Sequence, residues 1–283
     1  NRDEFHSRYE IFSISLLCLI PVLNLFCSWS DSDTRSLMWW DEDGDRQVLA
    51  GKDNVGGGTW LGCNRSGKIA ILTNIRQFPC HVPAGRKSRG FLPLRFLQSD
   101  LTPRQYAEEI AAGADRFSGY NLVLVDHRSM SMVYVTNGDQ SHSPLITDVL
   151  PGLHVLSNAS LDTPWPKALR LGDGAKEYLA KHEAEELSLE EMVETLMTDT
   201  TRDDDASKLP GIYSREWEFA ASAVFVDLET PDGRYGTRSI SGVSVTKGGA
   251  VTFYERCLHM GTWQHHTEKY QIQEEDKDQQ HEL

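Results

Sequence analysis

The sequence GGGTWLGCNRSGKIAILTNIR, residues 56–76, decides the fold class, because it holds two short β-prone runs separated by turn residues. Residues 59–63 and 68–73 are mainly apolar and β-branched, and glycines stand before and between them. Residues 48–50 form a third run of the same kind upstream. Short runs joined by glycine turns are typical of antiparallel strands. The stretch therefore predicts an antiparallel meander, and the triple glycine indicates a tight turn rather than a phosphate-binding loop.

Helix signals interrupt this β pattern. Thr102 before Pro103 predicts a helix N-terminus, because threonine caps helices and proline suits the first helical position. Ser188 and Glu191 have the spacing of a capping box, and an apolar stripe at helical spacing follows them. Further strands are predicted at residues 121–125, 132–136, 153–156, 222–228, 237–245 and 251–256. Strands, then helices, then strands again predict an α+β protein with antiparallel sheets covered by helices.

Composition narrows the classes of function. The 283 residues carry a net charge of −14, which argues against a nucleic-acid partner because phosphate binding needs clustered Lys and Arg. Five cysteines without a CxxC pair indicate neither a disulfide framework nor a structural metal site. Unpaired cysteines fit a reducing compartment, so a cytoplasmic location is predicted.

Residues 11–27 depart from the soluble pattern, since this run contains no charged residue. A membrane span needs about 20 predominantly apolar residues, and this shorter run contains Pro21 and Asn24. Three explanations for the anomalous apolar insertion at residues 9–36 stay open: a retained intron, a membrane anchor or a buried helical insertion. The first explanation predicts that the insertion packs poorly on the rest of the chain.

Several short motifs follow one another in a fixed order along the chain. They are Asn1-Arg2-Asp3-Glu4, Met38-Trp39-Trp40, Gly56-Gly57-Gly58-Thr59-Trp60, Leu72-Thr73-Asn74, Gly119-Tyr120-Asn121, Leu156-Ser157-Asn158, Asp162-Thr163-Pro164-Trp165-Pro166-Lys167 and Tyr235-Gly236-Thr237-Arg238. In this order and spacing the set resembles the NRDE family, also called the transport and Golgi organisation 2 family, and most closely its plant members. We therefore predict one domain over residues 1–271, including the 9–36 insertion, and an acidic tail at 272–283.

The resemblance implies the fold of the N-terminal nucleophile (Ntn) hydrolases, a four-layer αββα sandwich of two antiparallel sheets. In those enzymes the first residue is Cys, Ser or Thr, and its own α-amine serves as the base. Family members typically begin with Met-Cys on a strand ahead of the NRDE motif. This sequence begins at Asn1, whose side chain is not a nucleophile. We therefore expect no catalytic residue and no enzymatic activity in the chain as written.

The resemblance also implies a set of ligand-binding residues. Asn74 and Asn158 correspond to asparagines that bind an oxyanion or an amide, whereas Arg2, Asp3 and Arg238 correspond to charged residues around the nucleophile. In each case a structural role is the alternative: an Asx turn for the asparagines, and a buried ion pair for Arg2 with its acidic neighbours. The binding hypothesis predicts that Arg2, Asn74, Asn158 and Arg238 converge on one pocket.

Two further groups are weaker candidates for ligand binding. Trp39 and Trp40 are predicted core residues rather than the wall of a ligand groove. Cys257, His259 and Met260, with His265 and His266, include side chains that can ligate haem or a metal, but isolated residues near a chain end seldom do so. No metal site is predicted.

The family resemblance implies a function in Golgi organisation and secretory transport, and in the handling of haem or lipid (acyl-CoA). The leading hypothesis is a binding protein on an Ntn-like fold, whose ligand is a small molecule such as haem or an acyl-CoA. Haem is thus the one cofactor considered. The alternatives are an amidohydrolase with an N-terminal cysteine in its full-length form, and a membrane-tethered secretory factor. Golgi or mitochondrial association of a cytoplasmic protein is expected.

Overall fold

The computed structural model describes residues 14–24, 34–40, 47–77, 85–138, 144–182, 187–230 and 233–273, with only the backbone described at 14–24 and 233. Seven strands pair in chain order and form what we call the meander sheet. They are β2 (Thr34–Trp39), β3 (Val48–Asp53), β4 (Leu61–Asn64), β5 (Lys68–Asn74), β6 (Tyr120–Asp126), β7 (Ser131–Thr136) and β8 (Leu145–Asp148). Every neighbouring pair is antiparallel, which confirms the predicted meander.

A second antiparallel sheet, the long-strand sheet, has the order β1-β10-β11-β12, and β9 pairs with the first residues of β10. Its strands are β1 (Ile14–Asn24), β9 (Asp227–Thr230), β10 (Gly233–Thr246), β11 (Ala250–His259) and β12 (Thr262–Gln271). The predicted strand at residues 237–245 lies within β10. β12 was not predicted from the sequence, because its residues are mostly polar and more than half of them are exposed.

Five helices are described: α1 (Phe91–Leu97), α2 (Pro103–Ala111), α3 (Pro166–Lys181), α4 (Leu189–Met197) and α5 (Arg215–Ala220). The predicted starts of two of them are confirmed. Thr102 caps α2 by accepting a hydrogen bond from the Gln105 N–H, and Pro103 stands at its first turn. Ser188 caps α4 by accepting from the Glu191 N–H at 3.2 Å.

Three apolar layers hold the sheets and helices together, as alternation along each strand requires. Leu92, Phe96 and Tyr106 of α1 and α2 pack on one face of the meander sheet. The other face packs against the long-strand sheet, where Leu49 and Val123 belong to the same cluster as Val243 and Phe253. Helix α4 covers the outer face of the long-strand sheet through a cluster that includes Val193 and Ile240. The order helix, sheet, sheet, helix confirms the predicted α+β sandwich.

The triple glycine lies where two segments of backbone come together. Gly57 has a φ of +75°, and its N–H donates to the Asp53 carbonyl at 2.7 Å, so the predicted tight turn is confirmed. Gly58 packs directly on Gly90, the residue before α1. A Cβ placed on Gly58 would lie 2.2 Å from the carbonyl carbon of Gly90. The turn therefore sets how closely α1 approaches the meander sheet.

Two strand predictions are corrected by the hydrogen bonding of nearby loops. Residues 153–156 are not a strand, because the Val155 N–H and carbonyl are both taken by Asp162, at 2.8 Å each. Of residues 222–228, only the last two belong to β9. Before them, the Phe225 N–H donates to the Asp199 carbonyl and the Val226 N–H to the Thr237 hydroxyl, so neither N–H pairs with a neighbouring strand.

The uncharged insertion is described in part. The backbone of residues 14–24 is the strand β1, paired antiparallel with β10, so the helical-insertion alternative is wrong for these residues. An extended segment satisfies the backbone groups along the free side of β10, and Pro21 suits a strand at a sheet edge. Residues 34–36 belong to β2. The retained-intron and membrane-anchor alternatives stay predictions, as does the expected poor packing. They concern residues or side chains outside those described.

No helix within the described ranges is long and apolar enough to cross a membrane.

Trp40 is 7% exposed in the cluster beneath α1 and α2, which confirms it as a core residue, whereas Trp39 is half-buried against the cluster between the sheets. The acidic tail falls almost wholly outside the described residues.

The contact between Gly58 and Gly90 yields a stability prediction. Gly58→Ala should destabilise the fold by about 2 kcal/mol or more, because the new methyl group overlaps backbone that cannot move aside as a side chain can. Urea denaturation followed by circular dichroism measures this change. Gly248→Ala is the matched control, since its nearest neighbouring atom lies 3.9 Å from an added Cβ. Equal stability of the two variants would contradict the assigned packing.

Candidate functional site

A small cleft opens where β2 of the meander sheet passes β10 and β11 of the long-strand sheet. Its walls are Thr34, Arg35, Ser36, Trp60, Arg238, Ser239, Glu255, Cys257, Leu258 and His259. The volume bounded by these residues is about 20 Å³, room for roughly one water molecule. Charged, hydroxyl, thiol and aromatic groups therefore line a space no larger than about one water molecule.

A bulge in β2 shapes one wall of the cleft. The pairing of β2 with β3 is regular at Arg35 and again at Met38, but its register shifts between them. The Leu37 N–H turns toward the other sheet, where it donates to Glu255 Oε2 at 2.6 Å. Bulges commonly re-aim groups at sheet edges and functional sites. Here the bulge joins the meander sheet to the long-strand sheet through one carboxyl group.

Glu255 is 2% exposed, so its carboxyl group is almost removed from water. Its Oε1 accepts a hydrogen bond from the Ser239 hydroxyl at 2.9 Å. Burial raises the pKa of Glu255, while the bonds from Leu37, Ser239 and Cys257 act in the opposite direction. The effect of burial is the larger one, because transfer of a carboxylate out of water costs more free energy than hydrogen bonds from neutral donors recover. The proton is thus held to higher pH than on a solvated glutamate.

The two cysteines whose side chains are described, Cys63 and Cys257, are poor nucleophiles. Burial raises the pKa of Cys63 to about 12 and that of Cys257 to about 11. For Cys257 the neighbouring Glu255 adds to the rise, whereas a 3.1 Å hydrogen bond with Ser36 and the charge of Arg238 oppose it. Since the thiolate is the reactive form, neither group is activated for attack.

Arg238, one of the predicted ligand-binding residues, lies in this cleft. It is 6% exposed on β10, next to Ser239. Trp60, the residue before β4, also lines the cleft. Its carbonyl accepts a hydrogen bond from the Leu72 N–H at 2.7 Å. A buried guanidinium beside hydroxyl groups and an aromatic ring is a suitable partner for a carboxylate or phosphate.

Asn74 and Asn158 are brought together, although they lie far apart in sequence. The Asn158 side-chain amide donates to the Asn74 carbonyl at 2.9 Å, and the Arg76 N–H donates to the Asn158 carbonyl at 2.8 Å. Thr73 adds a bond from its hydroxyl to the Ser157 carbonyl at 2.8 Å. The side chain of Asn158 thus fixes its own loop on the end of β5. This is a structural role, but it is not an Asx turn, because the two bonded residues are 84 positions apart.

The predicted convergence of four residues stays a prediction. Arg2 and Asp3 lie outside the described residues. Arg238 lines the cleft, and the two asparagines meet at the end of β5, two residues beyond the Leu72 partner of Trp60. The described contacts thus join the asparagines to each other and place Arg238 with Glu255 and Trp60.

Glu255 was not predicted from the sequence, although a signal for it was present. In the alternating strand after Val251, Glu255 occupies an inward position between Phe253 and Cys257, where a charged residue is out of pattern. Arg76 and Glu218 were not predicted either. They form a buried ion pair at 2.7 Å beside the Asn158 loop. Short-range patterns carry no signal for that pair, because its members are 142 residues apart.

The weaker candidates near the chain end separate onto two faces. Cys257 and His259 line the cleft. His265 lies on the opposite face of the long-strand sheet, where its Nδ1 is 2.6 Å from the Tyr254 hydroxyl. His265 therefore does not share one ligand sphere with Cys257 and His259.

The raised pKa of Glu255 predicts how stability depends on pH. The folded state holds this proton more tightly than the unfolded state, so the stabilisation is full below the unfolded pKa of about 4.5 and is lost as pH rises through the folded value. Glu255→Gln removes this loss. Its free energy of unfolding should fall less with rising pH in that window, by up to about 1.4 kcal/mol per pH unit.

Chemical denaturation at a series of pH values measures the difference between wild type and variant. Glu229→Gln, an exposed position on β9, is the matched control and should follow the wild type. Parallel pH profiles for wild type and Glu255→Gln would contradict the buried, proton-holding carboxyl group.

Solved structures with a similar chain path include two single-residue variants of a conjugated bile acid hydrolase from Clostridium perfringens. One variant is 10% identical with a TM-score of 0.40, and the match covers 93% of this chain and 90% of the hydrolase chain. The other variant is 9% identical with a TM-score of 0.41, and the match covers 91% of this chain and 88% of the hydrolase chain.

Curated relatives match at the level of sequence. The transport and Golgi organization protein 2 homolog of Bos taurus is 30% identical over 81% of this chain and 84% of its own length. The homolog of Homo sapiens is 28% identical over 96% of this chain and 91% of its own. The family model for Transport and Golgi organisation 2 matches residues 1–260. The chain therefore belongs to the transport and Golgi organisation 2 family.

Proposed function

We propose that this protein binds the anionic end of a small ligand in the cleft between its two sheets, within a transport- or Golgi-associated role. The observation that carries the proposal is the buried guanidinium of Arg238 among polar groups of both sheets. The names of the curated relatives support the transport and Golgi part. The ligand part rests on the chemistry of the cleft.

Charge favours an anion over a neutral ligand. The guanidinium of Arg238 contributes a positive charge to the cleft. The raised pKa of Glu255 reduces the negative charge that this carboxyl group contributes at a given pH. A carboxylate or phosphate beside Arg238 would make charge-assisted hydrogen bonds, which are about twice as strong as neutral ones.

Size restricts which part of a ligand enters. With about 20 Å³ between the described walls, the cleft has room for one oxygen of a carboxylate or phosphate, but not for a macrocycle or an acyl chain. A haem propionate fits the chemistry of Arg238, as does a phosphate of an acyl-CoA. In either case the bulk of the ligand lies outside the described cleft, where Trp60 and the exposed Arg35 border the opening.

Removal of the guanidinium tests this proposal. Arg238→Met should weaken the binding of haemin or octanoyl-CoA by at least about tenfold, because a charge-assisted bond contributes roughly 1.5–3 kcal/mol. Equilibrium titration by absorbance for haemin, and by calorimetry for octanoyl-CoA, measures the affinities. Preference for one ligand over the other identifies which class the cleft serves.

Arg234→Met is the control for this titration. Arg234 lies on the same strand but is exposed, in a surface ion pair with Asp227 at 2.7 Å. The control should bind as the wild type does. If Arg238→Met binds both ligands with unchanged affinity, or if neither ligand binds the wild type, the proposal is wrong.

A further inference from the structure

A second group of charged side chains lies at the first turns of α3, apart from the cleft. Arg76 donates to Glu218 at 2.7 Å, with side chains 10% and 2% exposed. Glu218 also accepts from the N–H groups of Ile212 and Tyr213, each at 3.0 Å. Arg170 donates to Asp199 at 3.2 Å. Each carboxylate in this group is thus already paired with an arginine.

Lys167 adds a third cationic side chain to these two pairs. It is 9% exposed, and its Nζ donates to the Ala221 carbonyl at 3.4 Å, near the limit for a hydrogen bond. Burial lowers its pKa to about 7, with further lowering by Arg76, an opposing effect of Glu218, and a smaller lowering by Arg170. Two arginines and two carboxylates balance, so the ammonium form of Lys167 would leave one positive charge in excess.

Half-buried aromatic rings surround this group on the Arg76 side. The guanidinium of Arg76 lies 5.4 Å from the centre of the Trp165 ring. Trp217 packs on Tyr235 with ring centres 4.8 Å apart, and Tyr213 lies 6.3 Å from Trp217. Because these rings belong to separate loops, a helix and a strand, they meet only in the folded protein. Their exposed parts offer stacking surface to a flat ligand.

We propose that Lys167 and Arg76 form a second anion-binding site, which takes a small aromatic carboxylate, and that binding places one proton on the Lys167 amine. The carboxylate arrives ionised, and the proton comes from solvent to the neutral amine. The group then gains one negative and one positive charge, so its two ion pairs stay balanced. The ring of the ligand stacks on the aromatic side chains beside Arg76. The site does not involve the Arg238 cleft.

Calorimetric titration of the whole chain with benzoate at pH 8 tests this inference. The observed heat is compared in Tris and in HEPES buffers, whose different ionisation enthalpies reveal proton transfer. The wild type should take up close to one proton per benzoate bound. Acetate, which lacks the ring, and benzyl alcohol, which lacks the charge, should each bind at least tenfold more weakly.

Variants assign the proton to its residue. Lys167→Met should lose the proton uptake, whereas Lys176→Met, an exposed position on the same helix, should keep it. Arg238→Met should also keep it, which separates this site from the cleft. If Lys167→Met does not fold, the wild-type buffer comparison alone decides. Benzoate binding without proton uptake, uptake that persists in Lys167→Met, or no benzoate binding at all would overturn the proposal.

Discussion

A carboxyl group buried between two sheets costs free energy unless donors surround it, and Glu255 is such a group. Its two oxygens accept from the Leu37 N–H of one sheet and from the Ser239 hydroxyl of the neighbouring strand in its own sheet. The Leu37 N–H is free to do so because β2 carries a bulge at this point. One side chain therefore fixes the edge of the meander sheet against β10 and β11, and the cleft is the space left beside that contact.

The chemistry of the cleft follows from the same burial. Low exposure raises the pKa of Glu255 and of the Cys257 thiol, which keeps both groups in their protonated forms to higher pH. The guanidinium of Arg238 adds a positive charge to the same cleft. The cleft therefore differs in charge from the acidic surface expected of a chain with a net charge of −14. That contrast supports a site for an anion in a protein that would otherwise repel one.

Local patterns in the sequence predicted the parts of the fold that local physics determines. The glycines around residues 56–67 marked the meander, and Thr102 and Ser188 marked helix starts, because capping and turn formation involve neighbours in sequence. Residues 153–156 were predicted as a strand, yet Asp162 bonds both backbone groups of Val155, one through its side chain and the other through its own N–H. β12 was not predicted because its residues show no apolar pattern. Such a strand still forms, because the backbone of the neighbouring strand β11 supplies its hydrogen-bond partners.

The site was harder to predict, because it is made of contacts between distant segments. Family resemblance pointed to Arg238 and to the two asparagines, but not to Glu255, which lies 218 residues from its Leu37 partner. Likewise the Arg76–Glu218 pair and Lys167 come together only when the loop after β5 meets the helices. The one local sign of the site in the sequence was Glu255, a charged residue at an inward-facing position of β11.

Amide hydrogen exchange at Leu37 tests the bridge between the sheets most directly. An unpaired N–H at a bulge of an edge strand should exchange rapidly, whereas one that donates to a buried carboxyl group should be protected. We predict that Leu37 is protected in the wild type, and that Glu255→Ala lowers this protection by at least about tenfold, about 1.4 kcal/mol of opening free energy. Trp39, two residues further along β2, should change much less. Rapid exchange at Leu37 in the wild type, or protection unaltered by Glu255→Ala, would contradict the bridge on which this account depends.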